Sequence, residues 1–188
     1  MTTPSRWHLS LAARALSDSG IIAYPTEAVF GLGCDPLNPV AVIRLMKLKR
    51  RRREKGLILI ASKMKQLRPF LGPLNRDMRK TLKKSWPGPI TWVLPAAAHC
   101  PDWLTGGTST LAVRVSDHPV CRALCDYWQG PLVSTSANVS GHPPIKRRLL
   151  LLKHLGGRID YVVPGELGNL KKPTEIRDML NKTIIRPA

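Results

Sequence analysis

Aromatic residues make up only 5% of this 188-residue chain, and its acidic residues number 12 against 30 lysines and arginines. The first shortage argues against a single-strand nucleic-acid surface built from stacked rings. The second leaves a formal net charge of +18, and polyanions are the natural partners of such a chain. No apolar run approaches the roughly 20 residues of a membrane span. The segment from Met1 to Leu16 carries Arg6 and Arg14 without a continuous hydrophobic stretch or a cleavage site. A soluble, cytoplasmic protein without membrane contact is therefore expected. Four cysteines, at 34, 100, 121 and 125, form no C-x-x-C pair and suggest neither a zinc ribbon nor a disulfide framework. Cys121 and Cys125 lie four apart on an expected helix, but no histidine stands at ligand spacing beside them, so buried thiols are expected. There is no G-x-x-x-x-G-K-[ST] loop and no G-x-G-x-x-G after a strand, which disfavours the common nucleotide folds. Without repeats, low-complexity tracts or linkers, residues 1–188 are expected to form one domain.

The pattern that is present alternates helices with strands. Leu9, Ala12, Ala13 and Leu16 fall at helical spacing before Gly20, and Ile21 to Tyr24 form an apolar strand. Asn38 and Pro39 make an N-cap and first-position pair for a second helix. Leu57 to Ala61 is an expected buried strand, followed by helical stretches over about 63–71 and 74–84 and a break at Pro87-Gly88-Pro89. Strands are expected at 90–94 and 111–115, a helix from Asp117 to about Trp128, and a strand ending in Leu132 and Val133. A basic helix near 147–155, a strand at 159–163, a glycine-punctuated loop and a final strand near 183–186 complete the pattern. An α/β domain follows, while the uneven spacing argues against a regular doubly wound sheet.

Four places carry candidate chemistry. Residues 134–141 crowd Ser134, Thr135, Ser136, Asn138, Ser140 and Gly141 onto the end of an apolar strand, which fits either a polar-ligand loop or a turn whose hydroxyls satisfy backbone. Eight cations lie in the twelve positions 44–55, opposed only by Glu54, as a phosphate clamp, an RNA contact or a solvated basic face. Thr26 ends the first strand, facing a ligand crevice or capping a turn beside a solvated Glu27, and two glycines follow in an expected loop. Arg114 places a guanidinium inside the apolar strand LAVRV. That is costly without a partner: a ligand carboxylate or phosphate, an internal bond to Asp117, or exposure at a sheet edge would each answer it. His118, beside Asp117, is assigned to the helix start, since no G-x-S-x-G supports a triad.

Taken together, YPTEAVFGLG at 24–33, Lys49-Arg50-Arg51 followed by KGLILI, WPGPITWVLP at 86–95, LAVRV at 111–115, STSANVSG at 134–141, PTEIRD at 173–178 and IIRPA resemble the YrdC-like threonylcarbamoyl-AMP synthases in their short bacterial form. The resemblance implies an open, twisted, mixed α/β sheet flanked by helices with a basic concave face. It implies that L-threonine, bicarbonate and ATP become threonylcarbamoyl-adenylate and pyrophosphate, toward N6-threonylcarbamoyladenosine in tRNA. Thr26, Ile60, Arg114, Ser134 and Thr174 match threonine-binding positions, with Ile60 contacting through its backbone. Lys49, Arg51, Lys55, Thr110, Ser136, Asn138, Pro144 and Arg186 match positions around ATP, with Pro144 also contacting through backbone. Mg2+ is expected to come with ATP, on phosphate oxygens and water. Contact with tRNA or double-stranded RNA and with other proteins of the same tRNA modification is expected. A non-catalytic RNA-binding module is the alternative. Arg52 stands where the family usually has proline after K-x-R.

Overall fold

The computed structural model describes residues 3–187; Met1, Thr2 and Ala188, the last residue of IIRPA, lie outside the described residues. Helix α1 (Arg6–Ser17) precedes the antiparallel pair β1 (Ile22–Pro25) and β2 (Phe30–Gly33). Asn38 caps α2 (Pro39–Lys49), its side chain accepting from the Ala41 amide at 3.1 Å. Then come β3 (Ile58–Ala61), the short α3 (Met64–Leu67), α4 (Arg76–Ser85), β4 (Ile90–Pro95), α5 (Asp102–Thr105), β5 (Thr110–Val115), α6 (Pro119–Trp128) and β6 (Leu132–Ser136). Helix α7 (Arg148–Leu155), β7 (Tyr161–Val162), β8 (Glu175–Asp178) and β9 (Ile184–Arg186) follow.

The nine strands form one mixed sheet in the order β7-β1-β2-β6-β3-β5-β4-β8-β9. Its two faces are read off alternate residues of each strand. Leu32, Val133, Leu59, Val113 and Leu94 belong to the larger apolar core, which Val42 and Leu45 of α2 and Leu82 of α4 help to build. On the other face Ile22, Tyr24, Leu132 and Ile60 pack with Leu9 and Leu16 of α1 and with Val120 and Leu124 of α6. Those two helices cover only part of that face. Further along the same alternation stand Ser134, Ser136, Arg114, Thr110 and Arg186, which change from apolar to polar where the helical cover ends.

Three expectations are corrected. The glycines of YPTEAVFGLG lie in strand β2 rather than a loop. A Cβ on Gly33 would sit 2.5 Å from the Val133 carbonyl oxygen and 2.9 Å from Cε1 of Tyr24, so glycine there serves close approach inside a sheet. The glycine-punctuated stretch after β7 gives way to a strand, β8, parallel to β4 and flanked on its other side by β9. The helix expected over 63–71 is one turn, α3, and a 3-10 turn at Arg68–Phe70, because Pro69 withholds a backbone donor.

Gly33→Ala is expected to cost roughly 1–3 kcal/mol through overpacking. A fall in the urea midpoint at unchanged denaturant dependence would register it.

Candidate functional site

The uncovered part of the second face forms a cavity of about 430 Å³. Arg51, Lys55, Arg114 and Arg186 line it together with Thr26, Thr110, Ser134, Ser136, Thr174 and Pro144. Residues from six stretches of chain therefore converge, and Glu54 and Asp178 are the only acidic side chains on the wall. Burial lowers the Arg186 pKa, with Arg114 and Arg51 lowering it further, so these cations crowd one another. An anion placed among them would relieve that repulsion. Of the other expected site residues, Ile60, expected to contact through its backbone, has its side chain fully buried beneath α6, while Ile58, two residues earlier on the same strand and opposite Ser134, lines the cavity. Lys49 and Asn138 are not on its wall: Lys49 is buried, and Asn138 borders a neighbouring hollow with His142 and Pro144.

Arg114 is 5% exposed on a central strand. Its Nη2 donates to Oε2 of Glu27 at 3.1 Å, and its Nη1 donates to Thr91 Oγ1 at 3.3 Å and to Thr174 Oγ1. The other Glu27 oxygen accepts from Ser116 Oγ at 2.7 Å. Arg114 is thus paired with Glu27, 87 positions away, and neither the bond to Asp117 nor a solvated Glu27 is realised. Sequence reasoning missed Glu27 as a partner because nothing in local spacing announces a contact of that separation. Arg114 Nε is buried and has no hydrogen-bond partner among the described residues. Thr26 Oγ1 donates to the Val29 carbonyl at 2.7 Å, leaving its oxygen free to accept. Main-chain bonds from Gly168 to the Thr26 carbonyl (2.9 Å) and from Leu170 to the Glu27 carbonyl (3.0 Å) dock the segment that leads to Thr174.

The K-x-R spacing follows from the end of α2. Arg50 adopts the left-handed C-cap conformation (φ 50°, ψ 43°), which separates Lys49 from Arg51. Lys49, 2% exposed, donates to the carbonyls of Ser136 and Asn138 (2.8 Å to the latter) and to Asn138 Oδ1 at 3.1 Å. The Ser140 amide donates in turn to the Lys49 carbonyl at 2.9 Å. Ser136 Oγ also donates to Asn138 Oδ1, at 2.6 Å. The lysine expected at phosphate therefore ties the 134–141 loop from beneath, because that turn presents several oxygens and no other cation. Arg51 spans the turn after it, donating to the carbonyls of Gly56 (3.0 Å) and Lys55 (3.1 Å). His118 is buried at the start of α6, 3.2 Å from the Glu166 carbonyl, and burial lowers its pKa. All four cysteines are buried and free. No helix among the described residues is long and apolar enough to cross a membrane.

The Sua5/YciO/YrdC family model, described as telomere recombination, matches residues 14–188. The chain belongs to this family. It is 53% identical over 167 residues to the threonylcarbamoyl-AMP synthase of Halorhodospira halophila, covering 89% of this chain and 87% of that one. It is 50% identical over 180 residues to the enzyme of the same name from Xanthomonas euvesicatoria pv. vesicatoria, covering 95% and 96%. Among solved structures, P. abyssi Sua5 complexed with L-threonine superimposes with a TM-score of 0.91 at 29% identity. That match covers 97% of this chain and 54% of Sua5, so the chain spans about half of that protein's length.

The departure of this Sua5/YciO/YrdC member at Arg52 leaves the backbone path intact. Arg52 has φ −68° and ψ 142°, angles that a proline ring also holds. Arg52→Pro is expected to stabilise the protein by roughly 0.4–1 kcal/mol through the unfolded chain, visible as a higher Tm in thermal melts. Lys49 provides a pH test. Burial first, and Arg51 second, push its pKa from 10.5 down to about 8. Between those values the unfolded chain binds more protons, so this lysine's contribution to stability rises with pH across the window. Wild-type protein should gain stability relative to Lys49→Met between pH 8 and 10.5; parallel urea midpoints for the two proteins would contradict this.

Proposed function

We propose that this chain is a threonylcarbamoyl-AMP synthase that joins L-threonine, bicarbonate and ATP into threonylcarbamoyl-adenylate and releases pyrophosphate, toward N6-threonylcarbamoyladenosine in tRNA. The observation that carries the reading is a buried guanidinium with an unpartnered Nε, Arg114, in the same cavity as Arg51, Lys55 and Arg186. A zwitterionic amino acid uses the first, and a polyphosphate uses the other three. The names of relatives at 50–53% identity agree with it.

In this reading the threonine carboxylate docks on Arg114, with Thr26, Ser134 and Thr174 supplying hydroxyl contacts. Thr110, Ser136 and the backbone near Pro144 serve the nucleotide. The threonine amine, its protons passing to solvent, adds to carbon dioxide, or to bicarbonate with loss of water, and an oxygen of the resulting carbamate attacks the α-phosphorus as the bond to pyrophosphate breaks. The carbamate is already anionic, so the attack itself needs no proton removed. The chain's part is to hold the two reactants together and to neutralise charge that builds on the phosphates. Mg2+ is counted with ATP as substrate, carried by phosphate oxygens and water; Asp178, an acid of the cavity wall, already accepts from the amides of Leu180 (2.8 Å) and Asn181 (3.0 Å). Exposed cations outside the cavity, among them Arg52, Arg53, Lys83 and Lys84, suit tRNA phosphates. The adenylate is a mixed anhydride, so a cytoplasmic partner of the same tRNA modification is expected to consume it.

Purified protein with bicarbonate and MgATP should release pyrophosphate only when threonine is added, and no release above the threonine-free control would refute the synthase. Arg114→Ala should raise the KM for threonine roughly 100-fold while ATP binding changes little. Equal weakening of both substrates would show that Arg114 is not the carboxylate partner.

A further inference from the structure

The guanidinium of Arg114 offers five N–H groups. Those of Nη1 go to Thr91 and Thr174, and one of Nη2 goes to Glu27. The Nε N–H has no partner and Nη2 makes one hydrogen bond with its two N–H groups, so the Nε/Nη2 edge, the one a carboxylate accepts side-on, is the less occupied. Which edge is left depends on what holds the other N–H groups.

We propose that Glu27 is the positioning residue for amino-acid recognition: its carboxylate, itself held by Ser116, fixes the turn of the Arg114 guanidinium so that this one edge is kept for the substrate carboxylate. The proposal rests on the synthase reading. Three observations support it. The Glu27 carboxylate is held at both oxygens, by Arg114 at 3.1 Å and by Ser116 at 2.7 Å, so it cannot rotate without losing a bond. The pair is buried, with both side chains 6% exposed, and a buried ion pair contributes little net stability compared with apolar packing, so a purely structural role explains it poorly. Glu27 also acts through its main chain. Its carbonyl accepts from Leu170 at 3.0 Å, docking the segment that delivers Thr174 to Nη1. That approach is close: a Cβ on Gly168 would lie 2.5 Å from the Glu27 carbonyl oxygen. One residue thereby sets the partners of both Nη atoms, one by its side chain and one by its backbone. Glu27 is also the only acidic side chain ion-paired with the crowded Arg51, Arg114 and Arg186 among the described residues.

The test compares threonine with threoninamide, which lacks the carboxylate, in pyrophosphate release. Glu27→Gln keeps the shape and removes the charge. It should raise the KM for threonine roughly 10- to 100-fold, leave kcat and the KM for ATP within about threefold, and cut the preference for threonine over threoninamide by the same factor as the KM change. If Glu27→Gln does not fold, Ser116→Ala serves, since it frees one carboxylate oxygen without unpairing a charge. It should raise the threonine KM several-fold with ATP unaffected. A threonine KM within about twofold of wild type in the folded variant, or an equal rise for ATP and threonine, overturns the positioning role alone. Wild-type protein without threonine-dependent release overturns the synthase reading and this proposal with it.

Discussion

A charged guanidinium on a central strand stays buried only if its surroundings replace the water it has lost, and Arg114 meets that demand with groups from three other stretches of chain. Glu27 follows β1, Thr91 lies in β4, Thr174 precedes β8, and Ser116 closes the second side of the Glu27 carboxylate. The two halves of the sheet must therefore come together for this one side chain to be satisfied. Leaving either charge unpaired in such a place would cost several kcal/mol, on the order of ~3–5. The docking of the 164–174 segment on the Thr26 and Glu27 carbonyls is part of the same arrangement, since it brings Thr174 to the guanidinium.

The cavity itself comes from incomplete cover. Helices α1 and α6 lie over one end of the sheet face, where the strands present Ile22, Tyr24, Leu132 and Ile60. Where those helices stop, the same alternating positions become Ser134, Ser136, Thr110 and Arg114, and the face opens into the cavity. Strand β6 makes the change within five residues, from Leu132 to Ser136. The loop beyond it keeps its shape because Lys49 brings a cation underneath its carbonyls. Binding hydroxyls and the buried lysine are thus two parts of one arrangement, and the left-handed cap at Arg50 allows Lys49 to face the loop while Arg51 faces the cavity.

Much of this was legible in the chain. Capping by Asn38 and Pro39, the apolar strand at 58–61 and the helix from Pro119 carry local signals, and local signals act over a few residues whatever the fold. The glycines at 31 and 33 misled, because a strand that passes against the Tyr24 ring needs glycine for space, just as a loop needs it for freedom. Among the partners open to Arg114, the internal one that the sequence offered was Asp117, since a residue three positions away is easier to see in a sequence than one 87 away.

By itself the sequence determined that the chain is a basic α/β protein of this family, and marked the hydroxyls at 134–141, the strand end at Thr26 and the K-x-R cations as candidates for binding. Periodicity, caps and motif order are properties of neighbouring residues, so they can be read without a fold. Only the tertiary structure decided which cations reach the cavity and which hold it up. It put Lys49 behind the loop, gave Ile58 rather than Ile60 a place on the wall, and paired Glu27 with Arg114. Those outcomes depend on strand register and on contacts between distant segments, whose energies exist only once the sheet has closed around them.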